Sequence, residues 1–174
     1  MADKLGDSTP QRQGRVTLNP LAHLDPMGTI ALLLVGFGWG KPVEFDPYNF
    51  KHRTRDSALV AFAGPASNLI LAVILAVLIR GFGLGDNVLG LAFVLILQIN
   101  VSLAIFNMVP VAPLDGEKIL YAFLPKDIAY EYRQFMRQYG LFVLLFLIFP
   151  IIGGRSAISS LISPVIAIVM ALLL

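Results

Sequence analysis

The sequence predicts an all-α polytopic membrane protein with about four transmembrane or re-entrant helices and a small membrane-associated β-hairpin near the N-terminus. Three observations lead there. Of 174 residues, 57% are hydrophobic, and the mean hydropathy is +0.78, well beyond the range of soluble chains. Charged residues are 14% of the whole and fall in short stretches between long apolar runs, the way a bilayer-crossing chain distributes its polar groups. The apolar runs have spanning length.

Residues 1–26 are polar, and Gly6, Pro10, Gly14, Pro20 and Pro26 argue against a continuous helix there. The start lacks the charged region and apolar core of a secretory signal peptide. Residues 27–40 are apolar but shorter than the roughly 20 residues of a spanning helix, and they carry four glycines. A re-entrant loop or β-hairpin is expected, with Val43 and Phe45 alternating with Glu44 and Asp46 after the Lys41-Pro42 turn to form a returning strand.

Residues 57–80 are uncharged before Arg80 and are expected to span as a helix, kinked or interrupted at Gly64-Pro65. A glycine-rich turn follows at 81–87. Residues 88–109 form a second span, interrupted by Gln98, Asn100, Ser102 and Asn107 and broken at its far end by Pro110 and Pro113. Residues 114–138 return to charge and read as interfacial helical pieces. The cluster of Tyr132, Arg133, Arg137 and Tyr139 is most simply a headgroup anchor. The runs 139–152 and 156–174, separated by Gly153-Gly154-Arg155, suggest a hairpin of one short and one full helix.

The chain is read as a single membrane-embedded domain, 1–174: an interfacial segment and hairpin (1–56), core spans (57–125), and an interfacial helix with a C-terminal hairpin (126–174). Seven Lys or Arg precede residue 57 and four lie between 115 and 138, so the positive-inside rule places both regions in the cytoplasm; a multi-pass protein of the plasma membrane is expected. The basic residues lie beside apolar spans and form no continuous face for nucleic acid. With no cysteine, disulfides, Cys-based zinc sites and thiol nucleophiles are excluded.

The chemistry points to residues 106–116, Phe-Asn-Met-Val-Pro-Val-Ala-Pro-Leu-Asp-Gly. Two prolines three residues apart open the helix and free backbone groups that hydrocarbon tolerates only around a protein cavity. Asp115 follows at once. A carboxylate at the bilayer centre costs ~2.5–3.5 kcal/mol on insertion scales, so it needs a metal, a cation or a helix N-terminus as partner. The plainer reading is that Asp115 opens a helix from Leu114 to Leu124, its charge meeting the positive end of the dipole. Asn107, about one turn before the break, is a candidate for holding substrate backbone, although an Asn in a span more often bonds a neighbouring helix. Gly64 and Pro65 suit close helix approach, and His23 suits a structural hydrogen bond.

Gly14 to Pro20, His23 to Gly28, Trp39 to Val43, Ala63-Gly64-Pro65-Ala66-Ser67-Asn68 and Asn107 to Gly116 resemble, in that order, the site-2 protease family of intramembrane zinc metallopeptidases. The resemblance covers residues 1 to about 125. It implies that Asp115, in Pro-Leu-Asp-Gly, is the third zinc ligand. The other two ligands in that family are histidines of a His-Glu-x-x-His motif, whose Glu is the general base.

That motif is absent. The two histidines, His23 and His52, are far apart in sequence and cannot form an i, i+4 ligand pair. The resemblance therefore implies an incomplete zinc site, no catalytic residue in this chain, and a chain inactive by itself. A fragment, a misplaced start or a truncated paralogue is expected. The implied function is intramembrane proteolysis of transmembrane protein substrates, with residues 28–46 offering a strand edge to an extended substrate. The alternatives are a non-catalytic membrane protein of the same fold that binds transmembrane partners, and, more remotely, a small transporter or channel. Partners expected are membrane lipid, a transmembrane substrate and a second copy of the chain.

Overall fold

The computed structural model describes residues 1–174 apart from 36–37, 85–86 and 153–154, with the side chains of Val35, Ile151, Ile152 and Arg155 also outside the description. The chain forms two compact units, Met1–Ser57 and Ala58–Leu174, and each is described by itself.

The N-terminal unit is built from short turns around a buried carboxylate. Asp7 is fully buried. It accepts hydrogen bonds from Thr9 N and Oγ1, from Asp46 N at 2.8 Å and from Asn49 Nδ2 at 2.7 Å, so one side chain ties the helical turn α1 (Thr9–Arg12) to the turn at Pro47–Asn49. Burial by itself raises its pKa. The hydrogen bonds from Thr9, Asn49 and Asp46 outweigh burial and hold the carboxyl at about 2. Buried Arg15 similarly donates to the carbonyls of Ala22 and Lys41.

The β-hairpin expected over residues 27–46 is not formed among the described residues. Pro26–Val35 is instead a helix, α2. Asp25 caps it: Oδ1 accepts from Gly28 N at 2.8 Å, and its carbonyl accepts from Thr29 N at 2.8 Å. Asp followed by Pro at the first helical position is a helix-start signal, and it outweighs the glycines that follow. Gly38 and Trp39 lie back against α2, beside Leu32 and Gly28. A single bridge pairs Leu24 with Gly40, and Gly28 has no room for a side chain because a Cβ there would stand 2.1 Å from Trp39 O.

Helix α3 (Arg53–Phe82) starts where Asp56 turns back to accept from His52 N at 2.9 Å. It runs unbroken through buried Pro65. The expected interruption does not occur, because proline removes one backbone bond while the flanking groups in an apolar segment have no better acceptors than their own helix. Helix α4 (Val88–Asn107) follows, with Asn87 Oδ1 accepting from Gly90 N at 2.8 Å as its cap. The turn expected at 81–87 lies partly outside the described residues. At 30 and 20 residues, α3 and α4 extend about 45 and 30 Å, enough to cross a bilayer.

Two helices, not four, combine spanning length with apolar composition among the described residues. Helix α5 (Asp115–Phe123) is short. Helix α6 (Lys126–Ile148) joins the charged stretch to the apolar run from 139 in one rod, so the expected division near 138 is corrected: a change of side-chain polarity does not interrupt the i to i+4 backbone ladder. Strands β1 (Pro150–Ile152) and β2 (Arg155–Ser156) pair antiparallel, and α7 (Ala157–Leu173) closes the chain.

Two apolar clusters hold this unit. Ala72, Leu75, Ala76 and Ile79 of α3 meet Leu97 and Val101 of α4, with Ile166, Val169 and Met170 of α7 packed against them. Val109, Val111 and Leu114, from the segment after α4, pack with Leu144 of α6 and Ile158 of α7. The second cluster positions the candidate site.

Candidate functional site

The two-proline segment is an ordered turn. Met108 caps α4, Val109 N bonds to Phe106 O, Val111 N to Val109 O at 2.8 Å and Leu114 N to Val111 O at 2.9 Å. The Ala112-Pro113 bond is cis. Backbone groups freed by the prolines are thereby re-paired locally, as an opened helix in an apolar setting requires.

Three contacts fix this turn. The Tyr132 hydroxyl of α6 donates to Pro110 O at 2.8 Å. Gly140 of α6 lies against Ala112, where a Cβ would be 2.7 Å from the Ala112 Cβ. Gly116 sits on the end of α4, where a Cβ would be 2.3 Å from Met108 O and 2.4 Å from Val109 O. The Arg133 guanidinium lies over the Tyr121 ring at 5.2 Å, so Tyr132 and Arg133 have protein partners in addition to the headgroup role expected of them. Tyr139 stacks on Phe135, one turn away, at 5.3 Å. Sequence reading missed Tyr132 and Gly140 because their partners lie 22 and 28 positions away in the chain; Gly116, next to the aspartate, carried a signal in its motif.

Asp115 is the first residue of α5. Its carboxylate is 35% exposed and lies 3.9 Å from Lys118 Nζ through Oδ1. The other oxygen faces α3, where a Cβ built on Gly64 would be 3.2 Å from Oδ2. Asp115 thus starts a helix whose dipole favours its charge, while Oδ2 lies beside Gly64 of α3. The Ser67 hydroxyl bonds back to Gly64 O at 2.7 Å, leaving the glycine face toward the carboxylate free of side chain.

Asn107 ends α4, and its Nδ2 donates to Leu103 O of its own helix at 2.9 Å. Asn100 makes the equivalent bond to Ile96 O at 2.8 Å. His23 Nε2 pairs with Thr17 O at 2.9 Å.

A catalytic zinc takes about three protein ligands and an open position. Among the described residues no three His, Cys, Asp or Glu side chains stand close enough to hold a metal ion. Asp115 offers one ligand, so these residues do not by themselves fit a zinc centre.

Comparison with known proteins gives the same family as the motifs. The model of peptidase family M50 matches residues 85–148, which include the whole Asp115 turn. YwhC of Bacillus subtilis, named as a candidate zinc metalloprotease, is 40% identical over 162 residues, covering 88% of this chain and 74% of the relative. Rip2 of Mycolicibacterium smegmatis, similarly named, is 34% identical over 122 residues (65% of this chain, 46% of the relative). MJ0611 of Methanocaldococcus jannaschii, also so named, is 32% identical over 94 residues (54% and 49%). The chain thus spans about three quarters of the first and about half of the other two. No solved structure matches significantly. On the YwhC match and the family model over its central turn, the chain belongs to peptidase family M50, the site-2 proteases among the zinc metallopeptidases.

Proposed function

We propose that this chain is the part of an intramembrane zinc-dependent protease that supplies the Asp115 ligand and a surface for a transmembrane protein substrate. The observation that carries the reading is the position of Asp115: it follows the end of the spanning helix α4 and turns one oxygen toward Gly64 on the spanning helix α3. A carboxylate so placed is costly in a bilayer; Lys118 meets Oδ1 at 3.9 Å, and Oδ2, on the Gly64 side, is the oxygen a metal would take. Zinc, when bound, supplies a Lewis acid for peptide hydrolysis. The two histidines and the Glu base of the His-Glu-x-x-His motif are not among these 174 residues, and a second polypeptide segment has to bring them.

The chain's own residues prepare the place. Tyr132, Gly116 and Gly140 hold the turn in register, Gly64 keeps the α3 face open to the carboxylate, and Asn107 stands one turn before the break, where its amide oxygen can accept from an extended substrate backbone. The basic regions before residue 57 and at 115–138 favour an N-terminal segment in the cytoplasm of a multi-pass plasma-membrane protein. A second copy of the chain is a reasonable cover for span faces left open.

The test is co-expression of the full chain with a separate helix bearing a His-Glu-x-x-His motif. The purified pair is expected to carry about one zinc, consistent with a three-ligand protein site, and to cleave a model transmembrane substrate. Both properties should vanish in Asp115→Ala. Zinc retained by that variant, or a folded pair that never takes zinc, would count against the protease reading, the latter in favour of a non-catalytic membrane protein that binds transmembrane partners.

A further inference from the structure

The entry to α3 carries an unused basic cluster. Lys51, His52, Arg53 and Arg55 are all exposed, and among the described residues none of Lys51, Arg53 and Arg55 has a carboxylate within ion-pairing distance, in contrast to Lys118 with Asp115. The acid closest in sequence, Asp56, is only 5% exposed and is committed to the backbone N–H of His52. Tyr48, 74% exposed, lies under Arg53 with the guanidinium carbon 4.4 Å from the ring centroid. From Ser57 to Ile79 the chain has no charge. The helical rise puts Arg53 and Arg55 about 8 and 5 Å ahead of Ala58, the level of the phosphates when α3 crosses a bilayer. The other end of the same span has a single basic residue, Arg80.

We infer that Lys51, Arg53 and Arg55, with Tyr48 beside them, form a binding site for the headgroup phosphate of an anionic phospholipid. Guanidinium groups match phosphate oxygens in two-point hydrogen bonds, and Tyr48 beside Arg53 presents an exposed apolar ring with a polar tip, the kind of side chain that settles at membrane interfaces. Among the described residues no carboxylate pairs with these three cations, and they are available to phosphate oxygens. The inference is independent of the proteolytic reading, because it uses none of the residues around Asp115.

The experiment is native mass spectrometry of the full chain in neutral detergent with an equimolar mixture of phosphatidylglycerol and phosphatidylcholine. Phosphatidylglycerol adducts are expected to exceed phosphatidylcholine adducts by at least about fivefold, the weight of a single Lys or Arg at an anionic surface. The Lys51→Gln, Arg53→Gln, Arg55→Gln triple variant should bring the ratio close to one, while Arg53→Lys with Arg55→Lys keeps most of it and Lys4→Gln with Arg12→Gln, two exposed cations away from the start of α3, leaves it unchanged. Millimolar inorganic phosphate should not displace the lipid. A ratio near one in the unaltered chain, a triple variant that keeps its preference, an equal loss in the Lys4 and Arg12 variant, or displacement by phosphate alone each overturns the inference.

Discussion

The Asp115 carboxylate lies against the backbone of Gly64, close enough that a methyl group on that glycine would stand 3.2 Å from Oδ2. The contact is tight but its far side is a movable side chain. Gly64→Ala should therefore cost less than about 1 kcal/mol, whereas Gly64→Leu should displace the carboxylate and cost about 1–3 kcal/mol as overpacking. Unfolding in mixed detergent micelles measures both, and in the zinc-bearing pair Gly64→Leu should also lower the zinc content. Equal stability of the two variants would mean that α3 and Asp115 do not pack as described.

Gly116 meets backbone rather than side chain. A Cβ there would press on Met108 O, Met108 C and Val109 O at 2.3–2.5 Å, and the end of α4 cannot yield without losing its packing. Gly116→Ala should cost about 1–3 kcal/mol, and more than Gly140→Ala, whose nearest neighbour is the Ala112 side chain at 2.7 Å. The ordering of the two losses, read from the same unfolding curves, is the check.

Tyr132 holds the two-proline turn by one hydrogen bond to Pro110 O. Tyr132→Phe keeps the ring and removes the donor, so the expected loss is about 0.5–1.5 kcal/mol. Paired with Gly140→Ala, the double variant should lose less than the sum, because both single changes loosen the same turn. Strict additivity would show that the two contacts act separately.

The N-terminal unit should be sensitive to acid. Asp7 has its pKa lowered from 3.8 to about 2 in the folded chain, so its contribution is fully present above the ordinary carboxylate value and is lost as pH falls through about 2. Trp39, the single tryptophan, reports on this unit by fluorescence. Between pH 4 and 2 the unaltered chain should lose more stability than Asp7→Asn, which has no carboxyl to protonate there. The reverse order would remove Asp7 from its assigned role.

The two long apolar helices were legible because they depend on composition over one continuous stretch. Residues 57–80 and 88–109 are expected to cross, and α3 and α4, long and apolar enough to do so, occupy Arg53–Phe82 and Val88–Asn107. The N-terminal hairpin was misread because glycine content was given more weight than the Asp25-Pro26 start signal, which sets α2. The continuous α6 was missed because the polarity change near residue 138 resembles a boundary, while the helix itself is indifferent to it.

What the sequence by itself determined is local and additive: two apolar stretches of bilayer length, a break that two prolines impose, a charge asymmetry about α3, and one acidic residue directly after the break. Tertiary structure alone decided what that acidic residue faces. Gly64 and Asp115 are 51 positions apart, and no propensity or period links them. Their contact exists because Val109, Val111 and Leu114 are buried against Leu144 and Ile158, so the packing of distant apolar side chains sets where the carboxylate points.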